Sequence, residues 1–580
     1  MIKDLSVMIA GEAGDGVLFT GNVLARLLKR QGWEVATSRD FPSNIRGEPT
    51  SYTIRASLGK IYGLSELVDI LLAFDCDAVL THVPHVAQGG IVFCDGEGKA
   101  GLRLRDSRGK TFHKIPLRSM AREQFGHEIF KNMMALGALS CVLDLDFGLL
   151  DEIISEMFLR KKGEEVVRKN IQAVAAGCKK AREITSEKER HHLRKKEDRN
   201  RLLLSGDEAI AFGALAGGCR FFAAYPICPA SEISQWLVHY ISRFNGVVVQ
   251  TEDEISALNM ALGAAFAGAR SMTATSGPGA SLMMEAFSLA GMAEIPVVVA
   301  HVQRLGPATG IPTKTQQEDI LQWIYGSHGE FPRIVLSPGT PGECFDLTAR
   351  AFNLAEIYQV PVIVFTELDM GQNYRTTKVF DLESIEIKRG KLLSQEELLL
   401  IDDFKRYELT PDGISPRALP FFRNGVHLAE SLEHDEKGYR NEERTTRIRM
   451  TEKRMRKLKR ASRDLIPPHL WGDRKAEVGF VSCGSTLGAI LEAMDELMRR
   501  KVSSRFLQLR TLWPFPTAAV RRFLSGCQEV FVVENNFSGE LATLIKSQVN
   551  PCIQLRNILN YSTRAFTPGE IVKPVLKVCG

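Results

Sequence analysis

The chain has 580 residues, of which 44% are hydrophobic and 25% charged, so it is a folded protein too long for a single hydrophobic core. Its net charge of +5 is small for this length and excludes a generally basic protein that coats nucleic acid or anionic membranes. No apolar run reaches the roughly 18 residues that a membrane span needs. The N-terminal stretch MIKDLSVMIAGEAGDG has the pattern of a buried strand rather than a signal peptide, so we expect a cytoplasmic protein.

The 11 cysteines are scattered along the chain, and no two of them stand in a CxxC pair. Zinc ribbons, ferredoxin-type clusters and thioredoxin-type redox pairs are built from such closely spaced thiols. The sequence therefore predicts no metal site in this chain, and we expect most of its cysteines to be buried, reduced thiols.

The first predicted module covers residues 1–185. Strand-like runs such as LSVMIAG, EVATSRD, SYTIRAS, DILLAF and GGIVFCD alternate there with helical stretches, which is typical of a parallel α/β sheet. The segment SEKERHHLRKKEDRNR, residues 186–201, has almost no apolar content and is predicted to be a charged linker.

A second α/β module is predicted at 202–375, where the runs GVVVQ, SMTATSG, IPVVVAHVQ and VPVIVFTEL read as strands covered on both faces. Residues 376–475 are irregular and include the basic run RTTRIRMTEKRMRKLKRASR. Such a basic helix could contact nucleic acid, but the acids interleaved upstream and the lack of an aromatic platform argue against it. A third α/β unit follows at 476–580. The predicted fold class is α/β, with three doubly wound parallel-sheet domains and one irregular insertion.

The motif GEAGDGV follows the first predicted strand and opens a helix, so Gly11, Gly14 and Gly16 could let backbone amides approach a phosphate. The spacing G-x-x-G-x-G differs from the dinucleotide pattern G-x-G-x-x-G, which leaves a nicotinamide site as one alternative. A magnesium site of the thiamine diphosphate type, with Asp15 and Asn44 as ligands, is another.

The stretch TEDEISALNM places Glu252, Asp253 and Glu254 before an apolar helix. One interpretation is a capping box, in which Thr251 caps the helix and Glu254 reaches back to its first amides. The other is that one of these carboxylates serves a ligand, because the acids directly follow a predicted strand.

Other loops at predicted strand ends carry unusual residues. YPICPASEI presents Pro226 and Cys228 on a stiff turn, and TSGPGASLM brings Gly277 to a helix start. In QRLGPATGIPTKTQQED, Arg304 ends a strand and Thr313 returns on a Gly-Pro loop, a pairing suited to a planar carboxylate. A catalytic Cys228 thiolate and a simple surface arginine are the alternatives. Strand ends form the ligand crevice of open α/β sheets, so we expect these residues to lie together.

These segments resemble the 2-oxoacid:ferredoxin oxidoreductases. YPICPASEI, the run from EDEISALNM to AEIPVVV, and QRLGPATGIPTKTQQED are similar to the family's thiamine diphosphate pyrimidine-binding domain. GEAGDGV with SNIRGEPTSYTIR resembles the gamma domain, while SPRALP, EHDEKG, CGSTLGAILEA and ENNFSGELA resemble the rest of an alpha subunit, ending in a transketolase C-terminal-like domain. The resemblance covers nearly the whole chain, in the order gamma then alpha.

The resemblance implies roles for individual residues. Glu254 would be the catalytic carboxylate that hydrogen-bonds the aminopyrimidine of thiamine diphosphate, with Pro226 and Gly277 beside the cofactor. Arg304 and Thr313 would bind the 2-oxoacid carboxylate. Cys228 stands where the family motif YPITP has threonine, so it would belong to the substrate site with a weaker donor. The segment YSTRAF also departs from the family, which has a glycine there.

The implied reaction is coenzyme A-dependent oxidative decarboxylation of a 2-oxoacid to an acyl-CoA, with electrons passing to ferredoxin. We favour 2-oxoglutarate because a fused gamma–alpha chain often accompanies it; pyruvate and branched-chain oxoacids stay open. A separate beta subunit would supply the diphosphate and magnesium site and the iron–sulfur cluster. Gly11, Gly14 and Gly16 could form a coenzyme A loop. The rival hypotheses are a catalytically inert alpha-like scaffold and an NAD-dependent dehydrogenase; neither nucleic acid nor a membrane is an expected partner.

Overall fold

The structure is a computed structural model that describes residues 3–43, 47–95, 109–193, 200–459, 461–551 and 553–579. Asn44, residues 194–199 of the predicted linker and Cys552 lie outside these ranges. Within them, no helix combines the length and the apolar composition that crossing a bilayer requires.

The strands of the described residues, in chain order, are β1 Asp4–Glu12, β2 Glu34–Asp40, β3 Pro49–Ser57, β4 Val68–Ala73, β5 Val86–Cys94, β6 Thr111–Lys114, β7 Arg201–Leu204, β8 Phe221–Ala224, β9 Val247–Gln250, β10 Ser271–Thr275, β11 Val297–Gln303, β12 Ile334–Leu336, β13 Pro361–Glu367, β14 Arg375–Lys378, β15 His469–Gly472, β16 Val478–Ser482, β17 Ser504–Gln508, β18 Thr511–Trp513, β19 Glu529–Glu534 and β20 Leu555–Leu559.

The α-helices are α1 Val17–Arg30, α2 Cys76–His82, α3 Leu117–Phe125, α4 Lys131–Val142, α5 Phe147–Lys162, α6 Glu164–Ile184, α7 Gly206–Ala216, α8 Ser231–Tyr240, α9 Glu254–Phe266, α10 Gly277–Met292, α11 Ile320–Tyr325, α12 Pro341–Tyr358, α13 Leu368–Gln372, α14 Gln395–Leu399, α15 Arg444–Arg456, α16 Thr486–Arg499, α17 Thr517–Leu524, α18 Glu540–Val549 and α19 Pro568–Cys579.

The chain forms two compact units, and the first consists of residues up to Leu204 together with Asn373–Val379. Its sheet has the order β6-β5-β4-β1-β3-β2-β14-β7. The α/β class is confirmed, but this sheet is mixed: β3 runs antiparallel to both β1 and β2, and β14 runs antiparallel to β2 and β7. A short connection joins β2 to β3 directly, and antiparallel neighbours need no helical crossover.

The second unit holds residues Ser205–Gln372 and Phe380–Gly580, with a seven-stranded sheet of order β18-β12-β13-β11-β10-β8-β9. All of its pairs are parallel except the β12–β18 pair. Fully buried strands such as β11 and β13 separate one apolar cluster formed with α9 and α10 from another formed with α7 and α12. The sheet is therefore covered on both faces, as its continuous apolar runs predict.

The same unit contains a five-stranded sheet of order β15-β17-β16-β19-β20, which is parallel apart from β15. The basic helix α15 belongs to this unit, and part of its charge is paired inside the fold. Lys453 Nζ lies 2.7 Å from a carboxylate oxygen of Glu294, and Arg454 pairs with Glu433 at 2.8 Å. Met450, Lys453 and Arg454 are buried, so one side of this helix packs into the fold, whereas Arg444, Arg447 and Arg449 are exposed.

Candidate active site

The candidate site of the second unit lies at the carboxyl edge of the seven-stranded sheet. Because β8, β9, β10 and β11 are parallel, the segments that follow them emerge at the same edge. Cys228 follows β8, Glu254 follows β9, Gly277 follows β10 and Arg304 follows β11. The edge of a parallel sheet is where ligands of open α/β folds bind.

Glu254 does not form the capping box that the sequence allowed. Asp253 is the N-cap of α9, and its carboxylate accepts a hydrogen bond from Ser256 N at 2.7 Å. The Thr251 hydroxyl instead donates to the Asp253 carbonyl oxygen, 2.8 Å away. The capping-box interpretation is therefore wrong, and Glu254 is a buried carboxylate, 5% exposed, that helix capping does not use.

A glycine in the first turn of α10 makes room for this carboxylate. A Cβ added to Gly279 would lie 2.6 Å from Glu254 Oε1 and 2.1 Å from Thr275 Oγ1, distances that real side chains do not tolerate. The second glycine of the SGPG sequence thus sets the space around Glu254. Gly279 was not among the predicted site residues, although its position shortly after a strand was a usable signal.

Arg304 extends from the end of β11 to the loop after β8. Its Nη1 donates a hydrogen bond to the Cys228 carbonyl oxygen at 2.8 Å, while its Nε is buried without a partner among the described residues. Burial lowers the pKa of Arg304, and the nearby Cys228, Glu254 and Asp319 oppose that shift. The guanidinium therefore keeps a free, desolvated donor at the sheet edge.

Thr313 reaches the same place because the loop after β11 folds back on itself. Leu305 N donates to the Lys314 carbonyl oxygen at 3.0 Å, which sets Thr313 beside the end of the strand. The fold-back needs Gly310, whose φ is +54° and where a Cβ would lie 1.9 Å from the Leu305 carbonyl oxygen. Thr313 is 6% exposed, and its hydroxyl has no partner in the described part of the chain.

Cys228 is a protonated thiol. Its Sγ donates to the Pro312 carbonyl oxygen at 3.2 Å, and burial raises its pKa to about 11 although Arg304 opposes the shift. The catalytic-thiolate alternative fails, because a thiolate nucleophile needs a lowered pKa. The residue connects the β8 loop to the β11 loop by its side chain and holds Arg304 by its carbonyl.

The two remaining predicted site residues differ in their surroundings. Gly277 begins α10, and a Cβ there would lie 3.2 Å from a carboxylate oxygen of Asp319. The same oxygen, Asp319 Oδ2, lies 2.8 Å from His301 Nε2. Pro226 is exposed on the β8 loop. Asp319 is thus a charged residue at the carboxyl edge of the sheet that was not among the predicted site residues.

In the first unit, the three predicted glycines shape the turn from β1 into α1. Gly14 and Gly16 have φ values of +104° and +84°, and a Cβ on Gly16 would lie 2.0 Å from Asn132 Nδ2. Gly11 lies inside β1, tightly packed against Phe74. The loop borders a cavity of 300 Å³, which Gly14, Gly16, Phe19, Phe41 and Thr50 help to line.

The Asp15 carboxylate of this loop is bound by two cations. Lys131 Nζ and Arg118 Nη2 each lie 2.7 Å from one of its oxygens. A carboxylate neutralised in this way is not disposed to bind magnesium, so the structure gives no support to the magnesium interpretation of Asp15. Asn44, its other proposed ligand, lies outside the described residues.

Three known sequence families match consecutive parts of the chain. Residues 6–180 match pyruvate ferredoxin/flavodoxin oxidoreductase, residues 212–453 match the thiamine diphosphate-binding region of pyruvate flavodoxin/ferredoxin oxidoreductase, and residues 476–571 match core domain II of pyruvate:ferredoxin oxidoreductase. An alpha subunit of 2-oxoacid:ferredoxin oxidoreductase 2 from Aeropyrum pernix is 33% identical over 99% of this chain and 98% of its own length. The chain belongs to the 2-oxoacid:ferredoxin oxidoreductase alpha subunits.

This 2-oxoacid:ferredoxin oxidoreductase chain has further relatives. The KorA subunit of 2-oxoglutarate synthase from Methanothermobacter thermautotrophicus is 36% identical over 65% of this chain and 98% of its own length. A solved 2-oxoglutarate:ferredoxin oxidoreductase from Magnetococcus marinus, with 2-oxoglutarate, coenzyme A and succinyl-CoA bound, superposes with a TM-score of 0.92 at 34% identity, covering 100% of both chains. The resemblance inferred from the motifs is thereby confirmed.

Proposed function

We propose that this alpha subunit takes part in the reaction 2-oxoacid + coenzyme A + 2 oxidised ferredoxin → acyl-CoA + CO2 + 2 reduced ferredoxin + H+. The observation that carries the proposal is the set of buried, unsatisfied donors beside a buried carboxylate at one sheet edge. Arg304 Nε and Thr313 Oγ1 have no partner among the described residues, and Glu254 lies at the same edge.

The residues present fit thiamine diphosphate. Gly279 leaves a space next to the Glu254 carboxylate that any larger residue would fill, and the buried Ser276 hydroxyl at the start of α10 has no partner among the described residues. Bound there, the cofactor would supply a carbon nucleophile that stabilises the carbanion left by decarboxylation. Glu254 would accept a hydrogen bond from its aminopyrimidine, and Pro226 and Gly277 would lie beside that ring.

Arg304 and Thr313 would bind the substrate carboxylate. A guanidinium is a geometrically suitable donor for a carboxylate, and hydrogen bonds to a charged group are the stronger kind. Unpaired buried donors are rare in folded proteins because each is destabilising, so two of them at one edge support a ligand site. Cys228 would orient Arg304 through its carbonyl and would offer the substrate only a weak thiol donor.

Among 2-oxoacids we favour 2-oxoglutarate. The support comes from the solved relative with 2-oxoglutarate and succinyl-CoA bound and from the KorA relatives named as 2-oxoglutarate synthase subunits. Other relatives are named only as 2-oxoacid:ferredoxin oxidoreductases, without a specific oxoacid. Pyruvate and branched-chain oxoacids are therefore alternative substrates.

The proposed enzyme is active only with a beta subunit, which would hold the diphosphate, magnesium and the iron–sulfur cluster. The relatives are named as alpha subunits, which implies other subunits in those proteins. This naming supports a shared site in which this chain contributes the residues around Glu254.

Coenzyme A would contact the first unit at the glycine loop. Helix α1 has Gly16 at its N-cap and no side-chain cap hydrogen bond, so its first backbone N–H groups can donate hydrogen bonds to a phosphate. Phe19 and Phe41 line the adjoining cavity of 300 Å³ and offer apolar surface for the rest of the ligand. Gly11 lies near the end of β1, where a Cβ would crowd the Asp15 carboxylate of the loop at 3.2 Å.

The test uses the chain co-purified with its native partner. Reduction of a viologen dye is followed with 2-oxoglutarate, pyruvate and branched-chain oxoacids, each with and without coenzyme A. The proposal predicts reduction that requires both substrates and is fastest with 2-oxoglutarate. A cofactor-loaded complex that is inert toward every oxoacid would support the catalytically inert scaffold instead, and NADH binding by this chain alone would support the dehydrogenase.

A further inference from the structure

The hydroxyl of Thr50, in the first unit, is buried without a partner. Thr50 is 4% exposed, and its Oγ1 forms no hydrogen bond with any described residue. Such unpaired buried hydroxyls are rare in folded proteins, because each one loses its hydrogen bonds to water and gains none in return. The hydroxyl therefore points to a ligand.

Thr50 lies on the wall of the cavity beside the glycine loop. It pairs with Gly11 across β1 and β3, and it lines the 300 Å³ cavity together with Val17, Leu18 and Phe19, the first residues of α1. Helix α1 has 14 residues, and no side chain caps its N-terminus. A buried hydroxyl and uncapped helix N–H groups thus border the same cavity, and both can donate hydrogen bonds to ligand oxygens.

The glycine loop that forms one wall of this cavity is fixed in place by other contacts. The Asp15 carboxylate is held by Lys131 and Arg118, at 2.7 Å each, and Ala13 N donates to the Glu48 carbonyl oxygen at 2.8 Å. A wall held in this way loses little conformational freedom when a ligand binds, which favours affinity. The cavity is therefore a preformed site.

The lining of the cavity indicates which class of ligand it takes. Phe19, Phe41 and Pro42 give it apolar surface, and Glu12 is the one charged residue among the described residues that line it. A carboxylate repels a phosphate but accepts a hydrogen bond from an amide N–H. The lining therefore suits an uncharged chain that carries amide groups and apolar carbon, which is the chemistry of the pantetheine arm of coenzyme A.

We propose that Thr50 is a binding residue for coenzyme A, and that its hydroxyl donates a hydrogen bond to an amide carbonyl of the pantetheine arm inside this cavity. The inference rests on the proposed function for the presence of coenzyme A. It goes further by assigning the uncharged arm to the cavity and by naming the side chain that recognises it. The first N–H groups of α1 remain available to the phosphate next to the arm.

The test compares three variants in the complex co-purified with its native partner. Thr50→Val keeps the shape of the side chain but lacks the hydroxyl, so the KM for coenzyme A should rise roughly threefold to tenfold, the effect of one neutral hydrogen bond. The kcat and the KM for the 2-oxoacid should not change. Thr50→Ser keeps the hydroxyl and should keep the wild-type KM, as should the control Thr53→Val, which lies on the opposite face of β3. An unchanged KM in Thr50→Val, or a KM raised by Thr50→Ser and not by Thr50→Val, would overturn the proposal.

Inhibition of the same complex identifies the part of coenzyme A that Thr50 contacts. S-methylpantetheine, which has the arm but no phosphate and no free thiol, should compete with coenzyme A, and Thr50→Val should weaken this inhibition by the same factor as it raises the KM. Inhibition by ADP should be equal in wild type and Thr50→Val. Absence of competition by S-methylpantetheine, or weakening of ADP inhibition alone, would overturn the assignment of the arm to this cavity. A wild-type complex that needs no coenzyme A would instead contradict the proposed function, so the two failures are distinguishable.

Discussion

Replacing Glu294 by glutamine should destabilise the second unit strongly, because this carboxylate is the counter-charge of two buried lysines. Its oxygens lie 2.7 Å from Lys453 Nζ and 2.5 Å from Lys457 Nζ, and both lysine side chains are 0% exposed. Burial raises the pKa of Glu294, but the two ammonium groups outweigh burial and hold the pKa well below its usual range. Burial lowers the pKa of Lys457 to about 7 even with Glu294 present.

The expected loss in free energy of unfolding follows from the lysine charges that Glu294→Gln leaves without a counter-charge. Removing one partner of a buried ion pair leaves an uncompensated charge and reduces the free energy of unfolding by about 3–5 kcal/mol. Two lysines depend on this carboxylate, so the loss should lie toward the upper end of that range. Adding Lys453→Met to Glu294→Gln should lose less than the sum of the two single changes, because residues in direct contact are not additive.

Urea unfolding of the full chain provides the assay. Four of the five tryptophans, Trp236, Trp323, Trp471 and Trp513, belong to the second unit, so intrinsic fluorescence reports mainly on its unfolding. The exposed Glu386, which pairs with Lys388, provides a matched control, and Glu386→Gln should unfold at the wild-type urea concentration. Equal midpoints for Glu294→Gln and Glu386→Gln would refute the claim that the buried lysines depend on Glu294.

Three further predictions concern the second unit. In the co-purified complex, Arg304→Met should lower kcat/KM for the 2-oxoacid roughly tenfold to hundredfold, since hydrogen bonds to a charged group contribute about 1.5–3 kcal/mol; an unchanged KM would exclude a carboxylate-binding role. Cys228→Thr, which installs a stronger donor, should retain activity and lower the KM for the 2-oxoacid in the same assay; total inactivity would contradict a positioning role. Burial raises the pKa of Glu367 from 4.5 to about 7, although a hydrogen bond from Ser485 opposes the shift. The folded state therefore keeps a proton that the unfolded state loses, so stability should fall by about 3 kcal/mol as the pH rises from 4.5 to 7. In Glu367→Gln, the plot of urea unfolding midpoint against pH should be flatter between pH 4.5 and 7. A curve parallel to that of the wild type would disprove the raised pKa of Glu367.

The sequence predicted the strand ends of the candidate site well, because buried parallel strands are continuous apolar runs and their last residues are easily located. The local pattern was misleading at α9. It predicted a capping box in which Thr251 is the N-cap and Glu254 reaches back to the helix amides, and only the backbone shows that Asp253 is the N-cap. The approach of Thr313 to Arg304 also needed the structure, because it depends on a loop that closes through Leu305 and Lys314.

The sequence patterns could not predict strand pairs and ion pairs between residues far apart in the chain. The strand β14 is four residues long, and the strand before it in the first sheet, β7, ends as far back as Leu204, so no local periodicity indicated this pairing. The local pattern at α15 showed no counter-charge for Lys453, because Glu294 lies 159 residues away in the chain. Charge patterns show which residues need partners, but packing determines whether those partners are solvent or buried acids.

The most direct test of the central claim compares Glu254→Gln with Glu252→Gln in the complex co-purified with its native partner. The two changes remove neighbouring carboxylates of the same run, but Glu254 is buried at the sheet edge and Glu252 is exposed. With thiamine diphosphate content verified, viologen reduction should fall by roughly two orders of magnitude or more in Glu254→Gln and stay at the wild-type rate in Glu252→Gln. Wild-type turnover by the Glu254→Gln complex would contradict the assignment of this carboxylate to the cofactor.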